Sequence, residues 1–159
     1  MVAALDLLER GDANKVGILD CDEHYGNGTD DIIDRCGLWD RVIHYTAGEH
    51  DHKADAFLAG LSSLMERTFA GCAVLLYQAG ADPHIDDPLG GWMTTEQLRE
   101  RDKIVFRTAK RMELPVAWCL AGGYQRDAGG GIRPVLAIHD GTMAECLAAQ
   151  EEAHGVVTT

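Results

Sequence analysis

Two short segments concentrate the residue types that bind metal ions. The first, Asp20-Cys21-Asp22-Glu23-His24-Tyr25-Gly26-Asn27-Gly28-Thr29, carries two carboxylates and an imidazole at alternating positions. Alternate side chains of an extended strand end point to one side, so all three groups arrive together. The second, Gln78-Ala79-Gly80-Ala81-Asp82-Pro83-His84-Ile85-Asp86-Asp87-Pro88-Leu89-Gly90-Gly91, is again acidic. One Asp and one His from the first segment with one Asp from the second would make a three-ligand site with an open position, the arrangement in which zinc activates water. A third segment, Leu120-Ala121-Gly122-Gly123-Tyr124, pairs glycines with a tyrosine. The glycines let backbone approach a ligand, and the phenol can donate to a developing oxyanion; the alternative for Tyr124 is an amphipathic residue at a sheet rim.

Each segment follows a short apolar run, and such runs would position it. Val16 to Leu19, Arg41 to Tyr45, Ala73 to Tyr77 and Val116 to Leu120 are rich in β-formers and read as four strands. Between them, Asp55 to Phe69 puts Phe57, Leu58, Leu61, Leu64 and Met65 on one helical face, and Thr94 to Met112 opens with the capping-box pair Thr94 and Gln97. Asp140 to Glu152 reads as a last helix, and Met1 to Arg10 as an amphipathic helix cut at its start, with a stop at Gly11. Alternating strands and helices predict an α/β fold: three layers around a mostly parallel sheet, with ligands beyond the carboxyl ends of the strands.

The composition narrows the partners. Fourteen Lys and Arg against 26 Asp and Glu give a net charge of -12, which opposes nucleic acid and anionic membranes. Five scattered cysteines without a C-x-x-C pair read as reduced thiols, with Cys72 and Cys119 expected as small buried hydrophobes. No signal peptide or membrane-length apolar run is present, so a cytoplasmic setting is expected. His44 reads as a packed or hydrogen-bonded core histidine rather than a ligand, His50-Asp51-His52 as a solvated loop, and Gly129-Gly130-Gly131 as a turn with no phosphate-binding helix after it. His84 is read either as lining the pocket mouth or as an ordinary loop histidine.

Taken in order, D-x-D-x-H-x-G-N-G-T, A-G-A-D-P-H-x-D-D-P-L-G-G and A-G-G-Y resemble the zinc-dependent histone deacetylase and acetylpolyamine amidohydrolase family. The resemblance runs along essentially the whole chain but corresponds to the later part of that family's arginase/deacetylase-like domain. It implies metal ligands Asp22, His24 and Asp82, with Tyr124 polarising the substrate carbonyl and Gly122 and Gly123 beside it. Asp20 is then expected to orient a catalytic histidine and help hold a structural K⁺, and Asn27 to contact one of those histidines. The implied cofactor is Zn²⁺, with Fe²⁺ equally suited to two carboxylates and an imidazole. The implied substrate is a small acylated amine or acetyl-lysine. The resemblance also implies that the Gly-Gly-Tyr strand lies between the strands ending at Asp20 and at Gln78.

Two departures stand out. Tyr25 replaces a second histidine found in many members, and no adjacent His-His pair occurs in these 159 residues. The family carries that pair in an upstream Pro-Gly-His-His segment, where it serves as general base and electrostatic partner. Residues 1–159 are therefore expected to be a partial domain lacking the N-terminal segment, with impaired activity; neither Glu23 nor His84 is expected to replace the base. Two further readings compete: a non-catalytic remnant that binds metal or a partner and self-associates through an exposed sheet edge, and a haloacid-dehalogenase-like phosphatase using Asp20 and Asp22 with magnesium.

Overall fold

A computed structural model of the chain describes residues 1–151. Four strands, β1 (Val16–Asp20), β2 (Val42–Thr46), β3 (Val74–Gly80) and β4 (Val116–Ala121), form one sheet in the order β2-β1-β3-β4, with every pairing parallel. Helices α1 (Val2–Glu9), α2 (Asn27–Arg35), α3 (Ala47–His50), α4 (Ala54–Thr68), α5 (Thr95–Arg111) and α6 (Arg133–Glu151) connect and flank them.

Strand alternation divides the core in two. One face of the sheet shows Leu19, Leu75 and Tyr77 to Phe57, Leu61 and Met65 of α4, Leu98, Val105 and Phe106 of α5, and Ile138 of α6. The opposite face packs Val16, Ile18 and Val42 against Ala4 and Leu8 of α1 and Ile33 of α2. The result is the expected three-layer α/β arrangement. Helix α5 begins with the capping box foreseen at Thr94 and Gln97: Gln97 N–H donates to Thr94 Oγ1, and Thr94 N–H to Gln97 Oε1.

Three expectations are corrected. The Gly-Gly-Tyr strand does not sit between the other two: β3 bonds β1 along Val74 to Gln78 and β4 along Leu75 to Gly80, which leaves β4 at the edge. Cys119 is exposed, because α1 and α2 cover the β1 and β2 side of their face and stop short of β4, where Ala117 is also exposed. The last helix starts at Arg133, seven residues before Asp140, since a proline in the first turn, here Pro134, needs no N–H partner. The expected end of that helix, Glu152, lies outside the described residues. Helix α2 had no strong signal; Asn-Gly-Thr-Asp-Asp are poor helix formers, and only Ile33 is buried.

Candidate metal centre

The parallel register brings the carboxyl ends of β1 and β3 side by side, with Asp20 opposite Gln78. Cys21 N–H donates to Gln78 O at 3.0 Å, so the two chains are still bonded where they leave the sheet. A Cβ on Gly80 would lie 2.6 Å from Asp22 Cα, too close for any side chain. The backbones carrying the two acidic segments therefore touch.

Their side chains converge. One ligand atom each from Asp22, His24 and Asp82 lies within 4.8 Å of the other two. His24 Nδ1 is 3.2 Å from Asp22 Oδ1 and 3.3 Å from Asp82 Oδ2. Ligand atoms held about 2.1 Å from one ion at tetrahedral angles lie roughly 3.4 Å apart, so these spacings suit a zinc-sized cation. The Asp22 turn is shaped locally: Asp22 Oδ1 accepts His24 N–H at 2.9 Å, and Asp20 Oδ1 accepts Asp22 N–H at 3.1 Å.

Asp82 is 0% exposed. Its Oδ1 accepts Glu23 N–H at 3.3 Å, while its buried Oδ2 has no hydrogen-bond donor and lies 3.3 Å from His24 Nδ1. Burial, then the neighbouring charge of Asp22, pushes the Asp82 carboxyl up to about 7. For His24, burial pulls the imidazole down, but the hydrogen bond and charge of Asp22 and then of Asp82 outweigh it and hold it above its ordinary value. Two carboxylates held together with a buried, unpartnered oxygen fit a divalent cation, which would remove the repulsion that otherwise protonates one of them. An open cleft of about 460 Å³, bounded by Asp20, Asp22, His24, Tyr25 and Gln78, leaves one side of the cluster accessible.

The third segment reaches the cluster through glycine. A Cβ on Gly122 would sit 2.1 Å from Asp82 Oδ1, and its φ of +54° is itself left-handed; Gly123, at +100°, packs against Val135 and Ala81. Tyr124 N–H donates to Asp87 Oδ2 at 2.7 Å, and the ring is 45% exposed. His84 is buried: its Nδ1 accepts Asp86 N–H at 3.1 Å, and Nε2 lies 2.9 Å from Thr95 Oγ1. These bonds hold it inside its own loop. Asn27 is the first, exposed residue of α2.

Asp20 is 4% exposed, and the histidine facing it is His44, with Nε2 at 3.9 Å from Asp20 Oδ2, an ion-pair distance too long for a hydrogen bond. His44 Nδ1 lies 2.7 Å from Asp30 Oδ1, and Asp30 Oδ2 accepts the Tyr25 hydroxyl at 2.7 Å. Burial pulls His44 down, yet the neighbouring carboxylates of Asp20 and Asp30 outweigh that and hold it above its ordinary value.

Sequence reasoning missed two residues of the surroundings. Arg101 is 0% exposed and reaches the carbonyls of Cys21 and Gly80. Its signal was present: it sits three residues after Leu98 and four before Val105, on the buried face of α5. Asp87, also buried, accepts N–H groups from Leu89 and Tyr124 and so joins the second segment to the third.

A parallel α/β sheet with two acidic strand ends and a glycine-cradled carboxylate defines the class, and comparison with known proteins supplies the family. Residues 43–133 match the model of the histone deacetylase domain, and the chain belongs to that family. An uncharacterised protein of Picosynechococcus sp. is 27% identical over 144 residues, covering 79% of this chain and 48% of the relative. The crystal structure of the HDA15 HD domain superposes with a TM-score of 0.67 at 20% identity, over 93% of this chain and 48% of that one, and thus shares the fold. The chain spans about half the length of the proteins it matches. The matched stretch contains Asp82, Gly122, Gly123 and Tyr124; Asp20, Asp22 and His24 precede it.

Proposed function

We propose that this chain is the metal-binding part of a zinc-dependent amidohydrolase that removes acyl groups from amines such as acetyl-lysine or acetylpolyamines. The observation that carries the reading is the convergence of Asp22, His24 and Asp82 on one point at the open end of a deacetylase-type sheet. Zinc there would supply a Lewis acid and an acidified water. Asp22 and Asp82 would hold it with charge, His24 with a neutral ring nitrogen, and Gly122 would keep Asp82 from turning away. Tyr124 would donate its hydroxyl to the acyl oxygen as charge develops there. The same donors suit Fe²⁺, so metal identity is decided by reconstitution with each ion under anaerobic conditions. Buried Asp20, whose neighbouring imidazole, His44, stands 3.9 Å away, is the support for a structural K⁺. Unpaired cysteines support a reducing, cytoplasmic setting, and no helix among the described residues is long and apolar enough to cross a membrane.

On this reading the general base is not among the described residues; such a group contributes roughly 10²- to 10⁴-fold. We place it in a His-His segment outside residues 1–159. The expected outcome is stoichiometric zinc by elemental analysis, lost in Asp82→Ala, with negligible deacetylation by the 159 residues alone and turnover in a version extended through such a segment. Unchanged zinc in Asp82→Ala would remove that residue from the site. Turnover by the 159-residue chain at family-typical rates, abolished in Tyr124→Phe, would sink the missing-base reading.

A second reading is supported by the sheet itself. Edge strand β4 exposes Ala117, Cys119 and Leu120, and a groove of about 270 Å³ runs beside it along Leu76 and Gln78. A bare edge and apolar face suit a partner-binding remnant or self-association. Sedimentation over a concentration series tests this, and a strict monomer would remove self-association. The phosphatase reading loses ground to family membership, and its nucleophile, Asp20, is buried and engaged by Asp22 N–H.

A further inference from the structure

We propose that Arg101 is a positioning residue for the metal centre, a buried clamp that fixes the separation of the two strand ends on which Asp22 and Asp82 stand. The inference rests on the proposed metal site and extends it to a residue on a different element.

One guanidinium nitrogen makes both key contacts. Arg101 Nη1 donates to Gly80 O at 2.8 Å and to Cys21 O at 3.2 Å. Cys21 immediately precedes Asp22, and Gly80 stands two residues before Asp82. These carbonyls lie where β1 and β3 end and their chains turn out into the site, at the point where strand pairing ceases to set the spacing. A single donor shared between them does so instead.

The clamp is itself held. Arg101 Nε and Nη2 each lie 2.9 Å from Asp102 Oδ1, which also accepts the Tyr77 hydroxyl, and Asp102 Oδ2 accepts Thr142 Oγ1–H at 2.6 Å. The guanidinium is therefore anchored to α5, β3 and α6 together, and Asp102 neutralises it. A buried arginine without these acceptors would carry a large desolvation cost. Lysine cannot reproduce the fork: it presents one point charge, whereas arginine can bond Asp102 and the two carbonyls from different nitrogens.

The test uses the full chain, Arg101→Lys, and the double variant Arg101→Met with Asp102→Asn, which removes both buried charges and so guards against misfolding by an orphaned one. Two measurements are made: Co²⁺ titration followed by visible absorption, and hydrogen exchange of the metal-free protein by mass spectrometry. In a variant that keeps its circular dichroism, Co²⁺ affinity is expected to fall roughly 10- to 100-fold, the range seen when groups behind metal ligands are altered, with a changed absorption band. Exchange at 21–24 and 81–84 is expected to accelerate together, while β2 stays protected. A folded variant with the parent's Co²⁺ affinity, spectrum and exchange would overturn the clamp. If the parent itself took up no Co²⁺ but the substitution still loosened both segments, the metal reading would fall and the clamp would stand.

Discussion

The carboxyl ends of β1 and β3 and the carboxyl end of β4 lie along the same rim of the sheet, yet they are secured differently. The first two are locked from beneath: their backbones touch, Arg101 bonds both, and Asp82 is completely buried between them. The third belongs to an edge strand, and the loop carrying Tyr124 is tied to the site by Asp87 through a backbone N–H, with the phenol itself half open to solvent. On the proposed function, the difference separates two jobs. Metal ligands need fixed spacing before the ion arrives, whereas a group that meets substrate needs access.

The contrast is broken most severely at Gly122. Gly122→Ala forces a left-handed φ, costing about 1–2 kcal/mol, and drives a methyl into the Asp82 carboxylate. A lowered melting temperature and loss of zinc uptake are expected; normal uptake would show that the third segment does not shape the ligand. Asp87→Ala comes next. Removing a buried acceptor of two backbone N–H groups should cost about 2 kcal/mol in chemical denaturation, with zinc affinity retained, because no candidate ligand bonds Asp87. Loss of zinc in that variant would mean the two regions are not separable.

A smaller effect concerns pH in the metal-free protein. The Asp82 carboxyl sits at about 7 when folded, against about 3.9 for an unfolded aspartate. The folded chain thus holds this proton more tightly, so the associated stability is complete below about pH 4 and is lost as pH rises through about 7. His24, also raised, acts in the same sense. With chelator present, melting temperature should decline from pH 5 to 8, and less steeply in Asp82→Asn; equal slopes would locate the proton elsewhere. Bound zinc should abolish the decline. The smallest effect is expected at Tyr124→Phe, within about 0.5 kcal/mol of the parent for an exposed side chain and without change in zinc affinity. A measurable loss of metal would place the phenol at the ion rather than at the substrate.

Much of the fold was legible because it rests on local patterns. The four apolar runs became the four strands within one to three residues, and Thr94 and Gln97 signalled the start of α5 through their own hydrogen bonds. Gly80 and Gly122 stand in the quoted motifs, yet their role as contact surfaces for Asp22 and Asp82 depends on a neighbouring chain and could not be read from spacing. The expectation that His44 is packed in the core agrees with its buried ring, but its partner Asp30 lies on α2, a helix that opens with poor helix formers and was not foreseen.

By itself, then, the sequence determined the parallel α/β class, the acidic segments at strand ends and the order of the three motifs, since periodicity and short motifs act over a few neighbours along the chain. Only the tertiary structure decided that β3 separates β1 from β4, that Cys119 is left uncovered, that His84 is turned inward, and that a charged residue of α5 bonds the carbonyls of Cys21 and Gly80 at the ends of β1 and β3. Those outcomes depend on which faces meet across long separations. Strand order and buried charge are settled by the whole core at once, whereas a strand or a helix cap is settled by its own residues.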